Sequence, residues 1–406
     1  MVPAPVLFCT GVFSFHVHPD CLPSLFLPQQ EFPVLHRKCM FGLLSAGHIL
    51  NPLFHVFTDP FTEVCDIMST KLTLQDFSPS ELPCISVIVP VFNSAHFLDE
   101  TFRTIATQTY TNLEILLVDD GSRDESTELV DSYSRADDRC RTIHALTSRG
   151  VSAARNAGVQ AARGTWICWA DSDDVLPPKA IEHLFLAVMK HDTKMAMGSY
   201  KECHMTPPRL VRPIPVHPMV CNNARDLQKY FLTYGANLNH MWTKIFHRSV
   251  FENVRFPVGM IYEDIYIMPQ LLENAGSGAM FNKCVYRYQV RKNSTSTHVN
   301  IRRQMDGIYA RQETVRYMEQ HYPEFVGLAN DTLLPLGSNV LGRIAHIGGR
   351  EKAPEEWDET VRLMEQALEN CALRDIVSKA EAMAMKRDPA FLSRMAHFLL
   401  RADRMI

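Results

Sequence analysis

The stretch "CISVIVPVFNSAHFLDETFRTIATQ", residues 84–108, decides the fold. Its first nine residues form an almost continuous apolar, β-branched run, as expected of a parallel strand buried on both faces. The rest places Phe97, Leu98, Phe102 and Ile105 at helical spacing. Asn93 or Ser94, just before them, suits an N-cap. A strand that runs straight into a helix is the repeating unit of an α/β sheet.

The unit recurs downstream. "LEILLVDD" (113–120) reads as a second strand. "GSRDESTELVDSYS" (121–134) turns through Gly121 into a helix, with Ser122 and Glu125 at capping-box spacing. "RTIHAL" (141–146) is a short third strand, and "GVSAARNAGVQAARG" (150–164) an Ala-rich helix closed by Gly164. "TWICWAD" (165–171), "PKAIEHLFLAVMKH" (178–191) and "KMAMGSY" (194–200) supply strand, helix and strand. The pattern predicts an α/β domain with a mostly parallel central sheet flanked by helices. Ligands of such sheets sit at the carboxyl ends of the strands.

That rule gathers polar residues along one rim. The first strand ends at Pro90, Val91 and Asn93, the second at Asp119 and Asp120, the fourth at Asp171 and Asp173. A single strand-end Asp also serves as a turn former or helix cap. Three strand ends carrying acids toward one rim call for a positive partner, because crowded carboxylates raise one another's pKa. In "WADSDDVLPP" (169–178) the alternation of an extended chain points Asp171 and Asp173 the same way. Such hard oxygen ligands favour Mg²⁺ or Mn²⁺ completed by substrate phosphate oxygens. A dinucleotide site is a poor fit, since the first turn, "VPVFNSAH" (89–96), has no glycine for a pyrophosphate to approach.

The segments "ISVIVPVFNSAHFLDETFRTIATQTYTNLEILLVDDGSRDEST", "GVSAARNAG" and "WADSDD" resemble the nucleotide-sugar-binding half of the family 2 glycosyltransferases. "MWTKIFHRSVFENVRFPVGMIYEDIYIMPQLL" and "YRYQVRKNSTST" are similar to the acceptor half of the bacterial members. The resemblance runs from about Ile85 to about Thr297. It implies the GT-A fold and an inverting, metal-dependent transfer of a sugar from a nucleotide diphosphate, with UDP expected, to a glycan or lipid-linked glycan. The transferred group would be a hexosyl or N-acetylhexosaminyl unit, and surface-polysaccharide assembly the setting. Pro90, Val91 and Asn93 would line the nucleotide pocket. Asp120, helped by Asp119, would receive the base or ribose. Arg155 would border the base, with Gly150 giving close approach. Asp171 would meet the ribose side, and Asp173 would hold the metal and diphosphate, with Asp171 as the second metal ligand. The matching position for the catalytic base is Asp264, with Glu263 beside it. These two acids also suit the start of a helix by its dipole. Lys244 and Arg291 are candidates to offset diphosphate charge. Trp242 is a candidate sugar platform or a core residue. Two other classes compete: a sugar nucleotidyltransferase, which would need a glycine-rich basic loop after the first strand, and a non-catalytic nucleotide-sugar-binding relative.

Outside this region the chemistry is sparse. Residues 1–80 are rich in Pro, Phe, His and Cys without clear periodicity. They read as a poorly structured extension, or as upstream sequence ahead of a start at Met68. Within it, residues 40–57 carry two histidines and polar interruptions and are not expected to span a membrane. The expected layout is a catalytic domain over 84–298, divided near 200 into nucleotide-sugar and acceptor halves, followed by a helical region over 299–406. Three helices are expected there, from "IRRQMDGIYARQETVRYMEQHYP", "APEEWDETVRLMEQALENC" and "DPAFLSRMAHFLLRADRMI". The last mixes apolar residues with arginines, so it either packs on the domain or touches a membrane surface.

Composition agrees with this class. Of 406 residues, 46% are hydrophobic, enough for a sizeable core. The net charge of −4 and the lack of a basic patch argue against nucleic acid as a partner. Eleven scattered cysteines suit reduced thiols and a cytoplasmic protein, at the inner face of the plasma membrane if the C-terminal helices touch lipid.

Overall fold

The computed structural model describes residues 72–204, 211–234, 239–291 and 300–372. The N-terminal extension to residue 71, the possible span at 40–57 and the last expected helix, 388–406, lie outside the described residues.

Strand and helix alternate as the sequence pattern requires. In chain order the elements of the sheet region are β1 (Ile85–Val91), α1 (Ala95–Ala106), β2 (Leu113–Asp119), α2 (Ser126–Ala136), β3 (Cys140–His144), α3 (Val151–Ala161), β4 (Trp166–Trp169), α4 (Ala180–His191) and β5 (Met195–His204). Then come β6 (Val211–Ile214), β7 (Met219–Cys221), α5 (Ala224–Tyr234), β8 (Lys244–His247), α6 (Glu263–Ala275) and β9 (Gly278–Val290). The main sheet path is β3-β2-β1-β4-β8-β5-β9-β7, with β6 paired to β5. β1, β2, β3 and β4 pair in parallel, as do β5 and β9. All seven residues of β2 are buried, and of β1 only Pro90 is partly open, which is why both strands read as unbroken apolar runs.

One strand was not expected in its place. β8 lies antiparallel between β4 and β5, so the fourth and fifth strands do not touch each other. Two local readings also need correction. Gly164 does not close α3, whose C-cap is Ala162. A Cβ on Gly164 would lie 2.6 Å from the Ser86 amide nitrogen, so glycine is needed there for close packing on β1. Ser122 and Glu125 form no capping box, because α2 starts only at Ser126. Asp124 serves that turn instead, accepting from the Ser126 amide at 3.0 Å and the Ala95 amide at 3.1 Å.

The C-terminal region is helical: α7 (Ile301–His321), α8 (Val326–His346) and α9 (Pro354–Asn370). α7 and α9 fall where their apolar spacing predicts. α8 escaped the sequence pattern because Pro335 and three glycines interrupt it. One of them, Gly337, packs so tightly that a Cβ would meet the Met364 side chain at 2.5 Å. Ile308, Leu333, Leu341, Ile344, Trp357 and Met364 join these helices in a small core of their own. Met318, Phe325, Leu328 and Ala329 belong instead to the main core under the sheet.

Candidate active site

Strand direction fixes the rim. β1, β2, β4, β5 and β9 all end on one edge, and antiparallel β8 begins there, at Lys244. Most of the polar residues singled out in the sequence lie along that edge or in the loops above it.

On the β1–β2 side the acids are already engaged. Asp119, 2% exposed, accepts from the Ser122 amide at 3.0 Å, Thr127 Oγ1 at 2.8 Å and lies 3.3 Å from His144 Nδ1. Burial alone would raise its pKa, but these bonds bring it below the ordinary value. Asp120 accepts from Ser148 Oγ at 2.7 Å, the Arg149 amide at 3.0 Å and the Gly150 amide at 2.7 Å. It thereby closes the loop that launches α3, where Gly150 takes φ 89°. Asn93, at φ 49°, accepts from the Arg123 amide at 2.8 Å and ties the β1 and β2 turns together. Val91 is fully buried, and Pro90 beside it partly so.

The loop after β4 is fastened to β9. Val175 and Arg287 form an isolated bridge, and Asp174 accepts from the Gln289 amide at 2.7 Å. Asp174 is fully buried and well above the ordinary carboxyl pKa, through burial first and then the charges of Asp173 and Asp171. Asp173 is more open (37%) and pairs with Arg291 at 2.5 Å. The Arg291 guanidinium lies 3.7 Å from the centre of the Phe97 ring. Asp173 is nevertheless raised, by desolvation and then by Asp171, with Arg291 opposing.

Arg155 joins the two halves of the site. It is 6% exposed, donates through Nη1 to Glu263 and through Nη2 to Asp171 at 3.4 Å, and lies over Trp169 and Phe256. Desolvation opposes its charge, but Glu263, Asp171 and Asp264 together hold its pKa up. Asp171 keeps about a third of its side chain open (32%), yet desolvation still dominates and raises it.

Glu263 and Asp264 form the first turn of α6, behind Tyr262 at φ 63°. Asp264 accepts from the Ile265 amide at 2.8 Å, as expected of an acid at a helix start. Its other oxygen is 3.9 Å from His240 Nδ1. Burial raises both acids. Around Asp264, Arg155, Lys244 and Arg311 oppose that rise. Lys244 is 2% exposed, donates to the His240 carbonyl, and is pushed down to about 7 by burial. Trp242 is 6% exposed and stacked between His240 at 4.6 Å and Tyr286 at 4.2 Å, so it is core, and His240 is the ring that reaches the rim.

Asp171 and Asp173 suit a divalent cation by donor chemistry. Both offer hard oxygens, both are partly open, and Asp171 raises Asp173 by repulsion. No group of three or more His, Cys, Asp or Glu able to hold a metal occurs among the described residues. An ion held by these two would complete its shell from water and ligand oxygens.

Residues 86–255 match the family model for glycosyl transferase family 2. Residues 86–255 thus form a domain of the family 2 glycosyltransferase type. Among similar proteins, glycosyltransferase GlyA of Streptococcus pneumoniae is 31% identical over 218 residues, 52% of this chain but only 31% of GlyA. Glycosyltransferase GlyG of the same organism is 29% identical over 216 residues, 72% of its length. S. aureus TarS 1–349, crystallised in complex with UDP, aligns over 79% of this chain and 91% of its own with a TM-score of 0.54 at 16% identity, a likeness of fold. The fold is thus the GT-A arrangement.

Sequence reasoning missed His240, Tyr286 and Arg311. Tyr286 opens the quoted "YRYQVRKNSTST" but was given no role there, and its hydroxyl accepts from the Asp171 amide at 2.9 Å. Arg311 lies on a polar helix whose sequence carries no mark of its burial, yet it is 1% exposed.

Proposed function

We propose that this protein is an inverting glycosyltransferase that moves a hexosyl or N-acetylhexosaminyl group from a UDP-linked donor to a hydroxyl of a glycan or lipid-linked glycan. The observation that carries this is Arg155, whose guanidinium bridges Asp171 on the donor rim and Glu263 at the start of α6. It sets the base candidate Asp264 beside the donor loop rather than elsewhere on the surface.

In this reading Pro90, Val91, Asn93, Asp119, Asp120 and Gly150 shape the nucleotide pocket, with Arg155 at its border. Asp264 accepts the proton of the acceptor hydroxyl as that oxygen attacks the anomeric carbon, and burial raises its pKa, the direction that strengthens a carboxylate as a base. Glu263 holds Arg155. Arg291 supplies positive charge next to Asp173, and Lys244 does so near Asp264 while it holds its proton. Mn²⁺ or Mg²⁺ at Asp173 and Asp171 would neutralise charge on the departing diphosphate. UDP is favoured as the leaving group because TarS, alike in fold, was crystallised with it. Work in surface-polysaccharide assembly, at the cytoplasmic face of the plasma membrane, belongs to the same proposal. The free thiols at all seven described cysteines support a reducing setting. No helix among the described residues is long and apolar enough to cross a membrane.

The test is a panel of UDP-glucose, UDP-galactose, UDP-N-acetylglucosamine and GDP-mannose, assayed for nucleoside diphosphate release with Mn²⁺, Mg²⁺ or EDTA. Release from a UDP-sugar that EDTA abolishes is expected. No release from any donor would overturn the assignment, and full rates in EDTA would remove the metal.

A further inference from the structure

Helix α7 belongs to the C-terminal region, where the sequence shows no chemistry. Three of its residues, Gln304, Gly307 and Arg311, lie at positions i, i+3 and i+7 and so share one face. That face meets the turn that opens α6. Gln304 is 4% exposed, and its Oε1 accepts from the Tyr262 hydroxyl at 2.7 Å. A Cβ on Gly307 would lie 3.1 Å from Tyr262 Cδ2 and Cε2, so the missing side chain lets the tyrosine ring rest against the helix. Asp306, next along α7, accepts from the Ile261 amide at 3.0 Å. Arg311 lies within charge–charge reach of Asp264 and over the Phe231 ring, while its Nε and Nη1 have no hydrogen-bond partner.

Tyr262 is what these contacts hold. It adopts φ 63°, a left-handed conformation that a side chain other than glycine or Asn rarely takes unless its surroundings impose it. The residue after it is Glu263, and the next Asp264. The direction in which α6 starts, and so the aim of both carboxylates, follows from this one backbone conformation.

We propose that the Gln304–Gly307–Arg311 face of α7 is a positioning element for the acceptor-side carboxylates, locking Tyr262 in its left-handed conformation and thereby aiming Glu263 and Asp264. The inference rests on the transferase reading above. On it, the C-terminal helices are part of the catalytic unit, not merely a cap packed beside it.

The experiment is a double-mutant cycle of Tyr262→Phe and Gln304→Leu in the full chain, both removing one hydrogen bond. UDP release from the donor the panel identifies gives kcat and KM, and calorimetry gives the UDP dissociation constant. Misplacing a reacting group by about 1 Å can cost on the order of 10²-fold. Each single variant is therefore expected to lose kcat by about tenfold or more, with donor KM and UDP affinity unchanged, and the double variant to lose no more than the worse single. Gly307→Ala, which pushes the ring instead of freeing it, should show the same kcat-only loss. Unchanged kcat in all variants overturns the role of α7 while leaving the transferase reading intact. Equal loss of UDP affinity, or losses that simply add, reduces the face to general packing and overturns it as well. Wild-type protein that releases no nucleoside diphosphate overturns the transferase reading and this role with it.

Discussion

The acids after β2 and the acids at the start of α6 sit on the same rim but are held in opposite ways. Asp119 and Asp120 are saturated by nearby hydroxyls and amides, most of them in their own or the next loop. Glu263 and Asp264 depend on cations brought from far away in the chain: Arg155 from α3, Lys244 from β8 and Arg311 from α7. The first arrangement builds a rigid rim and depresses Asp119 below its ordinary pKa. The second leaves carboxyls raised and charges incompletely paired, which is costly for folding but suits a group that must take up a proton.

Four measurements press on this contrast. The largest effect is expected at Asp264. Asp264→Asn keeps the shape without the basic oxygen, so kcat should fall by about 10²–10⁴-fold while UDP affinity holds. Loss of UDP binding to the same degree would move Asp264 to the donor side and erase the contrast. Next comes Asp173→Ala, which leaves the diphosphate without its cation. Metal-assisted charge stabilisation is worth several kcal/mol, so turnover should drop by roughly 10²-fold or more and lose its dependence on Mn²⁺. A variant still activated by Mn²⁺ would place the ion elsewhere.

Asp120→Ala tests the saturated side. Three donors lose their acceptor, so stability should fall by at least the ~1.5–3 kcal/mol of one charge-assisted bond, seen as a lower melting temperature. If Asp120 also reads the uracil N3–H, the UDP-to-CDP affinity ratio narrows too. An unchanged ratio would leave it as a loop former only.

The smallest effect is the pH response of Lys244. Its folded pKa of about 7 lies below the unfolded value of 10.5, so between them the unfolded chain binds the extra proton. Stability owed to this group is therefore lowest below about pH 7 and rises above it, by at most about 1.4 kcal/mol per pH unit. Subtracting the Lys244→Met curve from that of the wild type over pH 6–9 isolates the slope. A flat difference would show that Lys244 keeps its proton when folded.

The saturated side was the more legible in sequence. Val87, Ile88, Val89, Ile115, Leu116 and Leu117 announce buried strands directly, and the acids that follow them are placed by strand direction. The α6 side was legible only through resemblance, and its partners barely at all. Lys244 occupies a four-residue strand whose slot between β4 and β5 no local pattern encodes. Arg311 sits on a helix so polar that burial of one arginine leaves no trace in its periodicity. Glycine misled twice in opposite senses: Gly164 looked like a helix stop and proved a packing contact, while Gly307 drew no notice and proved the seat of a tyrosine ring.

The slot taken by β8 bears on the order in which the chain can assemble during synthesis. β4 and β5 are complete some forty residues or more before residues 244–247, yet neither has its own neighbour on that flank until those residues arrive. A piece ended near residue 200 would cut β5 short and leave the β4 edge and both β5 edges open, an invitation to self-association. Dissecting the protein into its two apparent halves at that point would therefore give an aggregating fragment, whereas a cut placed after β9 spares the sheet.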